Sequence, residues 1–199
     1  MIRKKVRVKM PKLRIISGEF GGRMIAAPDG RTTHPMGDRV RSALFNMIDV
    51  EGKTVLDAYA GSGAVGLEAL SRGALHVDFV EKNKKAQRII QENIDSLGVG
   101  DRAKLWRMTT GSFLSWIASS SATPRNDGYD IVFIDPPYYS FESDGAFSTA
   151  LELKNVVKTN GLMVLSYPGR LCVPTVNGVV VVDNRSYGDA ALAVFRLDF

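Results

Sequence analysis

The stretch Thr54-Val-Leu-Asp57-Ala-Tyr-Ala-Gly61-Ser-Gly63-Ala-Val-Gly66 decides the fold. The apolar run Thr54–Asp57 predicts a short strand, the glycines behind it a tight turn, and Ala64–Ser71 a helix whose first amides face that turn. The alternation then repeats. Residues 76–81 read as a second strand and Lys84–Leu97 as a helix ended by Gly98. Residues 103–108 form a third strand with a short helix at 113–118 behind it, and the polar stretch 119–128, holding Pro124, is a loop. Tyr129–Ile134 is a strongly apolar fourth strand, followed by a helix over 145–158, a turn at Asn160-Gly161 and a fifth strand at 162–166. Residues 178–183 and 190–197 read as two closing strands and not as another strand–helix unit. Strands separated by helices of this length imply an α/β fold, with a mostly parallel sheet, right-handed crossovers and helices on both faces.

Ahead of this pattern the chain differs in kind. Residues 13–20 and 23–27 predict a β-hairpin turned by Gly21-Gly22, and Asp38 is placed to cap a helix carrying Val40, Leu44, Phe45 and Ile48. Residues 1–41 hold eleven Lys or Arg against three acids, whereas the other 158 residues hold 15 against 18, so all of the net charge of +5 is concentrated at this end. Such a one-sided distribution suits a polyanionic partner. Two regions follow: a basic extension over 1–50 and a catalytic domain over 51–199. Met1–Lys9 carries no packing pattern, so Met10 is an alternative start. A single cysteine, Cys172, excludes an internal disulfide and a cysteine metal cluster, and no run of about 18 apolar residues exists to span a membrane. A cytoplasmic protein is expected.

The turn beyond the first strand is the candidate cofactor site: Asp57, Ala58, Tyr59, Ala60, Gly61, Ser62 and Gly63. Glu81 ends the second strand, 24 residues after Asp57, where an acid can accept hydrogen bonds from ribose hydroxyls. Gly61-Ser-Gly63-Ala-Val-Gly66 also satisfies the G-x-G-x-x-G pattern of nicotinamide dehydrogenases, but Asp57 opposes that reading. A carboxylate there repels a pyrophosphate and suits a ligand with a charged amino group, which S-adenosylmethionine has. The closing hairpin agrees: a class I, Rossmann-like methyltransferase shows one on its seven-stranded sheet, and a dehydrogenase usually lacks it.

The fourth strand ends in Asp135-Pro136-Pro137-Tyr138, beside the cofactor turn, because ligands of open α/β sheets bind beyond the carboxyl ends of the strands. An exocyclic amine on a base is a poor nucleophile, since its lone pair is delocalised into the ring. If the Asp135 carboxylate and the Pro136 carbonyl each accept one N–H, the nitrogen can pyramidalise and aim that lone pair at a methyl group. The prolines hold both acceptors rigid, and Tyr138 offers a face on which an extruded base can stack.

With these motifs in place, the chain resembles the RsmD-type family, the small-subunit ribosomal RNA guanine-N2 methyltransferases. The likeness is carried by Arg14-Ile-Ile-Ser-Gly, Gly22-Arg23, Asp38-Arg-Val-Arg-Ser-Ala-Leu-Phe-Asn, the run from Asp57 to Ala74, Val80-Glu-Lys82, Asp135-Pro-Pro-Tyr and Tyr187-Gly-Asp. It implies S-adenosylmethionine as cofactor, with Lys82, Thr109 and Thr110 joining Asp57 and Glu81 around it. It also implies a guanine N2 in ribosomal RNA as target, with Arg14, Arg23, Arg39 and Arg41 on the RNA side. The partner is then ribosomal RNA, in an assembling small subunit, and the enzyme is a monomer that needs no metal. Two stretches depart from the family: His34-Pro35-Met36-Gly37 stands where Arg-Pro-Thr-Thr is usual, and Met108-Thr109-Thr110 where an Asn or Asp often meets the adenine. Two other functions compete. One is a DNA amino-methyltransferase acting on adenine N6 or cytosine N4, for which 199 residues leave no target-recognition domain. The other is a non-catalytic RNA-binding factor, against which the intact Asp57, Glu81 and Asp135 speak.

Overall fold

A computed structural model describes residues 11–28, 36–119, 128–141, 148–149 and 151–197. The chain opens with β1 (Lys12–Arg14) paired antiparallel to β2 (Met24–Ala26), followed by α1 (Asp38–Met47). Then come β3 (Thr54–Asp57), α2 (Ala64–Ser71), β4 (His76–Val80), α3 (Lys84–Leu97), β5 (Ala103–Trp106), α4 (Thr110–Ser119), β6 (Tyr129–Ile134), β7 (Val157–Pro168), β8 (Val179–Tyr187) and β9 (Ala190–Leu197).

The seven strands from β3 onward form one sheet in the order β5-β4-β3-β6-β7-β9-β8. β5 through β7 run parallel, and β9 is antiparallel to both of its neighbours. The expected architecture is therefore present, including the closing hairpin. The chain builds outward from β3 to β5 and then returns to lay β6 on the other side of β3, so the crossovers diverge between Asp57 and Ile134. A crevice for a ligand opens at such a reversal.

Every residue of β3 is buried, as helices on both faces require. Val55, Val77, Phe79, Ile131, Phe133 and Val164 point to the face covered by α2 and α3, and the alternate residues Leu56, Val80, Val132, Ile134 and Leu165 point to the face that Phe113 of α4 covers. Ile15, Phe20, Ile25, Leu44, Phe45 and Ile48 pack into the first of these clusters, so the N-terminal segment shares the core of the main sheet.

Polar anchors fix that segment. Glu68 of α2, with no exposed surface, accepts from the amides of Ile16 (2.7 Å) and Ser17 (3.0 Å) and from Arg72 Nε (2.7 Å). The Ser71 hydroxyl accepts from the Phe20 amide at 2.9 Å, and the Ser71 carbonyl from the Glu19 amide at 2.7 Å. A buried carboxylate is tolerable only with such a set of donors, and removing a partner typically costs about 3–5 kcal/mol.

The same anchors shorten the hairpin. Its strands are only three residues each, less than expected, because the amides of Ile16, Ser17, Glu19 and Phe20 turn away from the ribbon to Glu68 and Ser71. Asp38 is also not a cap: Gly37 is the N-cap residue of α1, without a side-chain bond, and Asp38 pairs with Arg41 at 3.0 Å. The helix expected over 145–158 ends earlier. A single 3-10 turn covers Leu153–Val156, and Val157 already pairs with Tyr129, so the fifth strand begins five residues early. Asn160, in the left-handed region at φ 64°, kinks β7 without interrupting it. The first closing strand runs on to Tyr187, carried by eight residue pairs with β9 and broken by one irregularity between Val181 and Asp183. The loop expected over 119–128 lies almost wholly outside the described residues. Among the described residues no helix is long and apolar enough to cross a membrane.

Candidate active site

The turn that follows β3 is clamped on both sides. Ala58 N–H donates to Phe133 O of β6 at 3.0 Å and Ala60 N–H to Val80 O of β4 at 3.1 Å, so the turn continues the sheet before breaking from it. Gly63, at φ 78°, is the N-cap residue of α2 and takes a backbone conformation that a side chain would strain. Gly66 serves another end. A Cβ there would lie 2.3 Å from the Phe79 ring, so the third glycine of the pattern lets α2 lie close on β4.

Asp57, 2% exposed, accepts from the Gly66 amide at 3.0 Å. Burial, reinforced by the nearby Asp135 and Glu81 and opposed by the Gly66 bond, pushes its carboxyl up to about 7. Glu81 accepts from Gly61 N at 2.8 Å through one oxygen and from Asn83 N at 2.6 Å through the other, which ties the glycine turn to the exit of β4. Thr110 is buried and donates to Ala58 O at 2.7 Å, and its bond to Tyr59 partly opposes the upward push that burial exerts on that phenol. Thr109 is exposed and caps α4, accepting from Ser112 N at 3.1 Å. Lys82 is exposed at the rim.

Asp135 follows β6 directly, with Pro136 buried, and the chain then makes a single 3-10 turn over Tyr138–Phe141. Withdrawal from water pushes the Asp135 carboxyl up to about 6, opposed by a hydrogen bond from Ser166. Burial likewise raises Tyr138, whose hydroxyl also meets Ser166 and lies near Asp135 and Asp189. A small pocket beside Asp135 is lined by Met36, Leu44, Val65, Phe133, Ile134, Val164, Ser166 and Leu192, apolar but for Ser166 and the carboxyl itself. Tyr139 is 65% exposed and turned from it.

Comparison with known proteins agrees with this geometry. The family model described as "Conserved hypothetical protein 95" matches residues 13–196. YlbH of Bacillus subtilis, a candidate rRNA methyltransferase, is 32% identical over 92% of this chain and 98% of its own length. Ribosomal RNA small subunit methyltransferase D of Haemophilus influenzae is 33% identical over 76% of this chain and 77% of that protein. The chain belongs to the RsmD-type methyltransferase family. Among solved structures, yhhF of Escherichia coli, a candidate methyltransferase, superposes with a TM-score of 0.80 at 28% identity, over 94% of this chain and 99% of that one.

S-adenosylmethionine is the cofactor of this RsmD-type enzyme, and the site fits it. Asp135 and Glu81 lie near enough to Asp57 to raise the cost of charging it. A ligand carrying an ammonium and a sulfonium relieves that repulsion, whereas a pyrophosphate would add to it. Among the described residues no cluster of His, Cys, Asp or Glu is arranged to hold a metal ion.

The four arginines divide. Arg14 and Arg39 are exposed on β1 and α1, and Arg14 lies 3.7 Å from Asp38. Arg23 is exposed, donating to Ser96 O at 2.8 Å with its guanidinium over the Phe20 ring. Arg41 overturns its expected role. It is 1% exposed and donates to Met36 O, Arg14 O and Asp38, with Nε 3.9 Å from Glu68. A guanidinium spent inside the fold on backbone carbonyls cannot grip a phosphate. His34, in the divergent stretch, lies outside the described residues.

Sequence reasoning missed Ser166, Glu68 and Asn93. Ser166 had a legible signal, since it follows Leu165, the last residue of β7 that pairs with β6. The other two sit within apolar helical faces, where only the fold shows what they bind.

Proposed function

We propose that this chain methylates the exocyclic N2 amine of a guanine in small-subunit ribosomal RNA. The observation that carries this reading is the half-buried Asp135 at the end of β6, its carboxyl hydrogen-bonded by Ser166 and followed by Pro136-Pro137-Tyr138 on the strand next to the donor turn. Relatives named ribosomal RNA small subunit methyltransferase D support the polymer. S-adenosylmethionine supplies an electrophilic methyl carbon on a sulfonium. The protein's part is to hold the acceptor. Asp135 and the Pro136 carbonyl take the two N–H bonds of the amine, Tyr138 stacks on the base, and the lone pair is left aimed at the donor. Asp57, Glu81 and the 58–63 turn hold the donor's amino acid and ribose, with Lys82, Thr109 and Thr110 at its rim.

Residues 1–50 form the RNA side of this reading and 51–199 the catalytic part, with exposed Arg14, Arg23 and Arg39 set against phosphates. With ribosomal RNA as partner, this reading makes the reaction a cytoplasmic one. The test is direct: incubate the protein with labelled donor and either small-subunit ribosomal RNA or duplex DNA, then digest to nucleosides. N2-methylguanosine from RNA is expected, and label recovered only as a methylated adenine or cytosine of DNA overturns the reading. Replacing Arg14 and Arg39 by Glu should also flatten the salt dependence of RNA binding, by about 0.7–0.9 in log–log slope for each phosphate no longer neutralised.

A further inference from the structure

Asn93 lies within α3 at 2% exposure, among Ala86, Ile89, Ile90, Ile94 and Leu97, where an apolar side chain would complete the buried stripe. Its amide instead makes three hydrogen bonds to two separate segments. Oδ1 accepts from Ala26 N at 2.8 Å, while Nδ2 donates to Ala26 O at 3.0 Å and to Ser62 O at 3.2 Å. Ala26 stands opposite Lys12 in the hairpin, so the Asn93 amide serves the outer edge of β2 as a third strand would. Ser62 belongs to the glycine turn, next to Gly61, whose amide is held by Glu81. One buried side chain thus joins the N-terminal hairpin to the donor turn. A polar group in an apolar stripe is costly unless its bonds are made, so the two segments depend on each other's position.

We propose that Asn93 is a positioning residue that couples the hairpin to the donor turn: occupation of the turn orders the hairpin, and a polynucleotide on the hairpin orders the turn. Coupling of this kind is reciprocal. The polynucleotide half rests on the reading of ribosomal RNA as substrate; the donor half does not.

The donor half is read by amide hydrogen exchange at Ala27, whose N–H bonds Pro11 O at 2.9 Å and not Asn93. Adding S-adenosylhomocysteine should slow this exchange in the wild type and leave it unchanged in Asn93→Leu, which fills the same space without the bonds. Ser71→Ala, which loosens the same segment from α2 without touching the turn, should keep the response. For the other half, the affinity for S-adenosylhomocysteine is titrated with and without a small-subunit ribosomal RNA transcript. RNA should tighten it by about fivefold or more in the wild type, and by less than twofold in Asn93→Leu. Loss of the RNA effect with the Ala27 response intact would overturn the RNA assignment and uphold the coupling. A wild type whose Ala27 exchange ignores S-adenosylhomocysteine, or an Asn93→Leu protein that responds like the wild type, overturns the coupling. If Asn93→Leu does not fold, Asn93→Ser and the wild-type exchange decide.

Discussion

Asp57 and Asp135 end up in the same crevice, at the tips of adjacent strands, both withdrawn from water and both raised, yet they are held differently. Asp57 is fixed by a backbone amide nine residues along its own chain and feels two neighbouring acids. Asp135 is held by a hydroxyl from another strand, Ser166, and the pocket beside it is closed by Met36 and Leu44 from the N-terminal segment. Asp57 is thus held by local main chain, and Asp135 by a side chain brought in from another strand. On the function proposed above, the first faces the charged cofactor and the second the target base.

The sharpest way to break this comparison is Asp135→Ala. Methyl transfer should fall by at least about a hundredfold, the scale of losing a group aimed at the reacting atoms, while S-adenosylmethionine affinity stays within a few-fold. Near wild-type turnover with saturating donor would sink the assignment of the acceptor side. Asp135→Asn sharpens it: an amide oxygen still accepts one N–H, so retained activity would mean that positioning dominates.

Next in size are Asp57→Ala and Glu81→Ala. Each removes a hydrogen bond to a charged group, and calorimetric titration should show donor binding weaker by about tenfold or more. Asp57 also imposes a pH dependence. With its carboxyl raised to about 7 in the folded protein from 3.8, the ionised form that favours a cationic donor is lost as pH falls through about 7. Affinity should therefore weaken below neutrality in the wild type and not in Asp57→Asn. The sign for stability is opposite. The folded state holds this proton more tightly than the unfolded chain, so the charge destabilises the donor-free fold increasingly between 3.8 and about 7 and fully above. Donor-free Asp57→Asn should melt higher than the wild type at pH 8, by about 2–4 °C for each kcal/mol relieved. A lower melting temperature there would refute the burial argument.

Ser166→Ala should act more gently. The bond it removes holds the Asp135 carboxyl down, so the acidic limb of the rate profile should move to higher pH, with a few-fold loss of turnover at neutrality. An unmoved limb would make Ser166 mere packing. Smallest is Tyr138→Phe, which keeps the ring face; a loss of more than about tenfold in kcat would show that the hydroxyl acts directly.

The same contrast explains what could be read from the sequence. β3, α2 and α3 were legible to the residue, because apolar periodicity and glycines specify them locally. So were Asp57, Glu81 and Asp135, each at a strand end. What failed depends on partners far along the chain. Arg41 looks like a phosphate ligand in Asp-Arg-Val-Arg, and only Glu68, 27 residues on, with the Arg14 and Met36 carbonyls, shows that it is internal. The start of β7 was missed because Val156-Val157 suits a helix face or a strand equally, and pairing with Tyr129 settles it.

The outer strand of the sheet bears on whether another strand can add to it. β8 pairs with β9 alone, and its Val180, Val181 and Val182 are each more than 40% exposed, a combination that invites a second copy to zip onto the free edge. The irregularity between Val181 and Asp183 throws that edge out of step, and the charged pair Asp183–Arg185, 2.8 Å apart, follows at once. A bulge with charges beside it is a device by which solitary sheets resist aggregation. A second copy adding to this edge would have to match the unpaired Val182 and desolvate the charged pair beside it.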